Sequence, residues 1–168
     1  YGFGWIWENQ GVPDRIGFMK IFVERVQDCE LQLWSSDLQK LSKLKLYCNF
    51  KESRSEELYL SLPIPKRLRV DLARFRTTSH KLEIEIGRHN NVAPEDRLCK
   101  LCARDNISAV EDEFHVLFYC VAYTESRHLF FDCETLNARN EYTFIRLMST
   151  DNVNTVVNLA KFISYDCI

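Results

Sequence analysis

Glycine and proline are sparse here, five and four residues in a chain of 168. The glycines are scattered, so no Gly-rich loop is available to cradle a phosphate or a dinucleotide. No apolar run approaches the roughly 20 residues that a membrane-spanning helix needs. There is no internal repeat, no low-complexity tract and no Pro- or Gly-rich linker. A Ser, His and Asp constellation of the hydrolytic kind is also missing. These gaps argue against a membrane protein and against an enzyme with a small-molecule substrate. The chain opens at Tyr1 with neither an initiator methionine nor a basic and apolar leader, and reads as a fragment or a processed piece of something longer.

What is present centres on Cys99, Cys102, His115 and Cys120. A C-x2-C pair, twelve intervening residues and then H-x4-C is the spacing of a tetrahedral zinc site with one structural Zn2+. Two cysteines on a tight knuckle reach one ion together. The interval is long enough to bring back a second ligand pair on or just past a helix. Residues 110–119 are predicted to form that helix, since Glu111, Asp112 and Glu113 suit its positive end and Phe114, Leu117 and Phe118 fall at helical spacing. His115 and Cys120 are five apart, so an unbroken helix would splay them. Cys120 is therefore expected at the helix end, where the turn loosens. His128 and Cys133 repeat the H-x4-C spacing as a competing pair; His80 and His89 read as hydrogen-bonding or phosphate-facing groups rather than ligands.

Hydrophobic residues make up 46% and charged residues 27% of the chain, the proportions of a soluble globular protein. At this length about two thirds of the unfolded surface is buried on folding, so metal is not needed merely for want of size. The net charge of −2 conceals a bias: residues 66–104 carry ten basic and five acidic side chains, +5, which leaves −7 for the remainder. Segregation of this kind steers one face toward a polyanion, while a solvated face with local ion pairs would look the same in sequence. The cysteines number seven. Cys29, Cys48, Cys133 and Cys167, outside the ligand set, lack the spacing of a disulfide framework, which points to a reducing intracellular compartment, nucleus or cytoplasm.

The expected fold class is mainly α: a helical domain with an irregular CCHC zinc-knuckle insertion and at most a short strand or hairpin. Residues 1–12 form an aromatic N-terminal arm, 13–86 a helical region, 87–127 the CCHC segment and 128–168 the C-terminal helices, together one structural unit. The arm, with Tyr1, Phe3, Trp5, Ile6 and Trp7, is too aromatic for a solvated tail and is expected to pack on the body or on a part lying upstream. Pro13 and Asp14 start the longest helix. Its stripe of Ile16, Met19, Phe22, Val23, Val26, Cys29, Leu33 and Trp34 makes it the expected main core former, with Ser35 and Ser36 weakening its end. A short turn over 56–62 is stopped by Pro63 and Pro65. A helix over 66–77 turns Leu68, Leu72 and Phe75 inward and crowds its other faces with Lys66, Arg67, Arg69, Arg74 and Arg76. Residues 80–86 alternate like a half-buried strand, with a short helix as the alternative. Helices are predicted over 123–133, 141–148 and 153–165.

Leu72-Ala73-Arg74-Phe75-Arg76, Ser79-His80-Lys81-Leu82, Ile84-Glu85-Ile86-Gly87-Arg88, the knuckle Arg97-Leu98-Cys99-Lys100-Leu101-Cys102, Glu111-Asp112-Glu113-Phe114-His115 and the run through Cys120 to Arg127 together resemble one known family. It is the zinc-binding region that follows the polymerase in non-long-terminal-repeat retrotransposons and in host genes derived from them. The likeness is specific over about a third of the chain. It implies a reverse-transcriptase-associated module whose ligands fall on Cys99, Cys102, His115 and Cys120, with template RNA or target DNA as partner and the reverse transcriptase domain of the parent polyprotein as neighbour. The Tyr-x-Asp-Asp polymerase signature is absent, and Pro13-Asp14 has no Glu-x-Lys or Asp-x-Lys companion for a nuclease centre.

Three functions follow for comparison. A nucleic-acid-binding accessory domain would use Lys66, Arg67, Arg69, Arg74, Arg76, Arg88 and Arg104 for sequence-blind, salt-sensitive phosphate contacts. A helix beginning Glu111-Asp112-Glu113 would be repelled from a phosphate-lined groove and is not expected to read bases. A zinc-stabilised structural domain would instead dock its aromatic arm on a polymerase or host partner. A zinc hydrolase or deaminase is disfavoured, because four protein ligands leave no open position for water and no H-x-E precedes the knuckle.

Overall fold

The computed structural model describes residues 1–12 and 14–167; the expected helix start at Pro13 lies outside the described residues. In chain order the helices are α1 (Gly4–Asn9), α2 (Arg15–Lys40), α3 (Lys45–Cys48), α4 (Leu58–Ser61), α5 (Lys66–Arg76), α6 (Glu83–His89), α7 (Lys100–Ala103), α8 (Glu113–Phe118), α9 (Thr124–Phe130), α10 (Cys133–Asn137), α11 (Glu141–Met148) and α12 (Val153–Phe162). A π-helical turn, Ile163–Cys167, prolongs α12. Among the described residues there is no strand, only an isolated antiparallel bridge between Leu98 and Val110. The fold is mainly α. Among the described residues no helix is long and apolar enough to cross a membrane.

Helix starts follow the local chemistry of short polar side chains. Asp112, Asp132, Asn140 and Asn152 each accept a hydrogen bond from the backbone N–H three residues on, which satisfies a donor that the first turn leaves unpaired. This places the start of α8 at Glu113 rather than at 110. It also splits the helix expected over 123–133, because Phe131 turns extended and Asp132 caps a new helix.

The core gathers around α12, which packs on α4, α5 and α9. Leu68, Leu72 and Phe75 of α5 are buried as their spacing predicts, and they meet Val116, Leu117 and Phe118 of α8, Leu147 and Met148 of α11 and Phe162 in one cluster. Asp71 enters this core as well, accepting a 2.6 Å hydrogen bond from the Ser164 hydroxyl.

One expectation is corrected. α2 is not the core former: none of its 26 residues is buried. Its apolar stripe is real, but its main packing on the body is through the 3-10 turn Ser42–Leu44 and α3, with a further ion pair from Glu30 to Arg54 at 3.0 Å. The aromatic arm packs on α2, where Phe3 sits against Phe18 and Phe22 at ring-centroid distances of 5.3 and 5.6 Å. Where residues 80–86 alternate like a strand, the stated alternative of a short helix holds: helix α6 covers Glu83–His89 and overlaps the end of that stretch. No neighbouring strand offers partners there, whereas a helix supplies its own bonds, beginning with Ile86 N–H to Leu82 C=O at 3.1 Å.

Candidate metal centre

The knuckle is a short hairpin closed at both ends by backbone bonds. Cys99 N–H donates to Ala109 C=O at 2.8 Å and Glu111 N–H to Arg97 C=O at 2.9 Å. Between them α7 makes one turn, and both Asp105 and Ile107 N–H donate to Cys102 C=O at 3.0 Å. Asn106, with φ of 58°, takes the left-handed conformation that an asparagine tolerates at such a reversal. One helical turn thus separates Cys99 from Cys102 and puts both thiols on the inner side. Opposite them, His115 projects from α8. Tyr119 and Cys120 both donate N–H to His115 C=O at 2.8 Å, so the helix ends there and Cys120 is released to turn back, as its spacing predicts.

The four donor atoms lie within 4.8 Å of one another, and all four residues are buried. Cys120 Sγ is 3.8 Å from Cys99 Sγ and 3.7 Å from Cys102 Sγ, and His115 Nε2 is 3.4 Å from Cys102 Sγ. A tetrahedron with metal–sulfur bonds of about 2.3 Å has edges of about 3.8 Å, so these donors already stand at the separations one metal ion requires. Among the described residues no other group of His, Cys, Asp and Glu converges in this way. His128 and Cys133, the competing pair, are exposed and apart from it.

Burial sets the electrostatics. It pushes the Cys99 thiol up to about 12 and raises that of Cys120, and it lowers the His115 imidazole below its usual value. A divalent cation favours the opposite at the sulfurs, thiolates, while keeping the imidazole neutral. The centre could therefore hold a metal ion by coupling its binding to release of thiol protons. With one atom from each of four residues, an ion bound here would have its tetrahedral shell filled by protein, the arrangement of structural sites.

Several supporting side chains carried no signal in the spacing. Arg127 is buried and donates to Val116 C=O at 3.1 Å, to Cys120 C=O at 2.5 Å and to Thr124 Oγ1 at 3.1 Å, so one guanidinium fixes the last ligand against α8. Glu111 accepts from Cys99 Sγ at 3.4 Å and from Glu83 N–H at 2.8 Å, tying the knuckle to the start of α6. His80 is hydrogen-bonding, one of its two expected roles. Its Nδ1 accepts from Leu82 N–H at 3.3 Å, so Nε2 carries the proton and donates to Glu113 Oε1 at 2.8 Å. Arg97 donates to Val92 and Ile84 carbonyls and crosses so close to Gly87 that a Cβ there would lie 2.5 Å from its Cγ. Glu111 and Glu113 read in sequence as helix-start residues; only the fold gives them partners 28 and 33 positions away.

The seven basic residues do not form one cluster. Lys66, Arg67, Arg69 and Arg74 share α5, where Arg67 donates to Ser164 C=O at 2.9 Å and Arg69 to Leu60 C=O at 3.0 Å. Arg67 and Arg74 nevertheless keep 68% and 55% of their side chains exposed. Arg88 lies on α6, gripping Glu85 at 2.8 Å, and Arg104 is exposed at the end of the knuckle. Arg76 is a correction. It is buried, bonds Glu57 at 3.0 Å and stacks over Phe50 and Tyr59, so its guanidinium is engaged by the core and does not stand on the outer face of α5. Compared with protein-family models, curated proteins and solved structures, the chain matches none.

Proposed function

We propose that the chain is a zinc-stabilised, non-catalytic accessory domain of a retrotransposon reverse transcriptase, holding RNA or DNA through phosphate contacts. The observation that carries this reading is the closed, buried convergence of Cys99, Cys102, His115 and Cys120. Three sulfurs and one imidazole at tetrahedral separations favour Zn2+ over harder cations. The same four residues are the ligands that the resemblance implies. Cys29, Cys48, Cys99, Cys102, Cys120 and Cys133 form no disulfide, in keeping with a reducing compartment, nucleus or cytoplasm.

The nucleic-acid part rests on α5. Its N-terminus has no side-chain cap and no acidic residue in the first turn, yet Lys66, Arg67 and Arg69 crowd it. Cations at the positive end of a helix are unfavourable by themselves, and a phosphate placed there offsets both charges. Lys66, Arg67, Arg69 and Arg74 are the proposed contacts, with Arg88 and Arg104 flanking. α8 is not a groove-reading helix, since five of its six residues are buried.

Metal analysis of the purified chain is expected to give about one zinc per chain, as a tetrahedral site holds one ion. Fluorescence anisotropy with a labelled duplex and a labelled single strand is expected to show binding that weakens steeply with salt and falls in the Lys66→Glu, Arg74→Glu variant. Binding no tighter than that of an unrelated acidic protein at low salt would sink the nucleic-acid reading. The second reading, a zinc-stabilised domain docking on the polymerase or a host protein, would then stand, favoured by the apolar exposure of α1 and α2.

A further inference from the structure

We infer that α2 is the self-association element of this chain, pairing antiparallel with α2 of a second copy. The inference is independent of what α5 binds. At 26 residues the helix is about 39 Å long. Isolated helices of ordinary composition are marginal in water, and Gly17 with the β-branched Ile16, Ile21, Val23 and Val26 lowers the intrinsic tendency further. Such a helix needs a packed face, and the chain itself leaves most of one bare.

Met19, Phe22, Val26, Cys29 and Leu33 follow one another at steps of three and four, the seam of a two-helix coiled coil. Met19 is 49% exposed, Leu33 64%, and Phe22 still 37% with Phe3 against it. Val26 and Cys29 between them are half-buried.

Charge selects the occupant and its direction. In residues 15–27, Arg15, Lys20 and Arg25 against Glu24 give +2. In residues 28–40, Asp28, Glu30 and Asp37 against Lys40 give −2. Lys40 and Asp37 pair within the second half, while Arg54 from outside it meets Glu30 and offsets one of its negative charges; both pairs are more than half exposed, and the two halves remain opposite in sign. Two parallel copies would set like halves together. Two antiparallel copies set the positive half of each against the negative half of the other, twice over, as a two-fold axis requires. One surface is thereby complementary to itself.

Sedimentation velocity of the metal-loaded full chain over a micromolar concentration series is expected to show a dimer. Met19→Glu with Leu33→Glu should leave a monomer that retains its metal, which shows the knuckle still folded. Reversing the positive half with Arg15→Glu and Lys20→Glu makes both halves −2 and should weaken the dimer about tenfold or more. Adding Asp28→Lys and Asp37→Lys to that variant makes the second half +2 and should restore it. A monomer at every concentration overturns the inference, as does a dimer insensitive to the Met19 and Leu33 changes. Charge reversal without effect, or without rescue by the added lysines, overturns the antiparallel arrangement.

Discussion

The helices α2 and α8 carry apolar residues at the same three and four residue steps and meet opposite fates. α2 buries none of its 26 residues, while α8 buries five of six. The difference does not lie in the pattern. α8 is fixed at each end: Asp112 accepts the His115 N–H at 2.7 Å, and Arg127 holds the carbonyls at its exit. It also has the knuckle on one side and Phe144 on the other. α2 is capped by Asp14 but is met mainly by Phe3 near its start and, at its end, by the 3-10 turn Ser42–Leu44 and α3. Amphipathic spacing states that a face needs cover; it does not provide the cover.

The strongest way to break this contrast is to remove the metal. If the centre holds zinc as proposed, chelation or Cys102→Ser is expected to unfold at least residues 87–127, since a structural site of that kind couples on the order of 10 kcal/mol to local folding. Hydrogen exchange reads the result: protection at Cys99, His115 and Cys120 should vanish while that of α2 is unchanged. Equal protection with and without metal would put the two regions on the same footing.

A smaller effect is expected from Arg127→Met in the metal-loaded chain. It keeps the apolar stem and leaves the buried Val116 and Cys120 carbonyls short of a donor, a loss of about 2–3 kcal/mol. Thermal unfolding should drop accordingly and metal affinity should fall with it, because Cys120 loses its anchor. Wild-type affinity in this variant would mean that the ligand is positioned by the end of α8 alone.

The smallest effect is expected at Ile16, 85% exposed and the most exposed large apolar side chain among the described residues. Ile16→Ala lies off the proposed seam and should change stability by no more than about 0.5 kcal/mol. A larger loss in chemical denaturation would show that the start of α2 is covered after all.

How much of this was legible beforehand depends on the range of the interaction. The ligand set was readable because each half is local: two cysteines three apart on one turn, and a histidine and cysteine five apart where a helix must end. Helix α5 was readable from periodicity, since Leu68, Leu72 and Phe75 are buried as spaced. The alternation of residues 80–86 left a strand and a short helix both open, because so short an apolar run does not fix its own period, and the structure takes the helix. Arg76 misled. Its charge counts toward a basic surface in any tally, yet Glu57, Phe50 and Tyr59, all distant in sequence, draw it inward.

By itself, then, the sequence determined the helical class, the identity of the four donors and the charge halves of α2, since each depends on neighbours within a turn or two. Only the tertiary structure decided that the two donor pairs meet, that Arg127, Glu111 and His80 support them, and that the longest apolar stripe stays uncovered. Those outcomes depend on where distant segments come to rest, and no local spacing encodes the presence or absence of a packing partner.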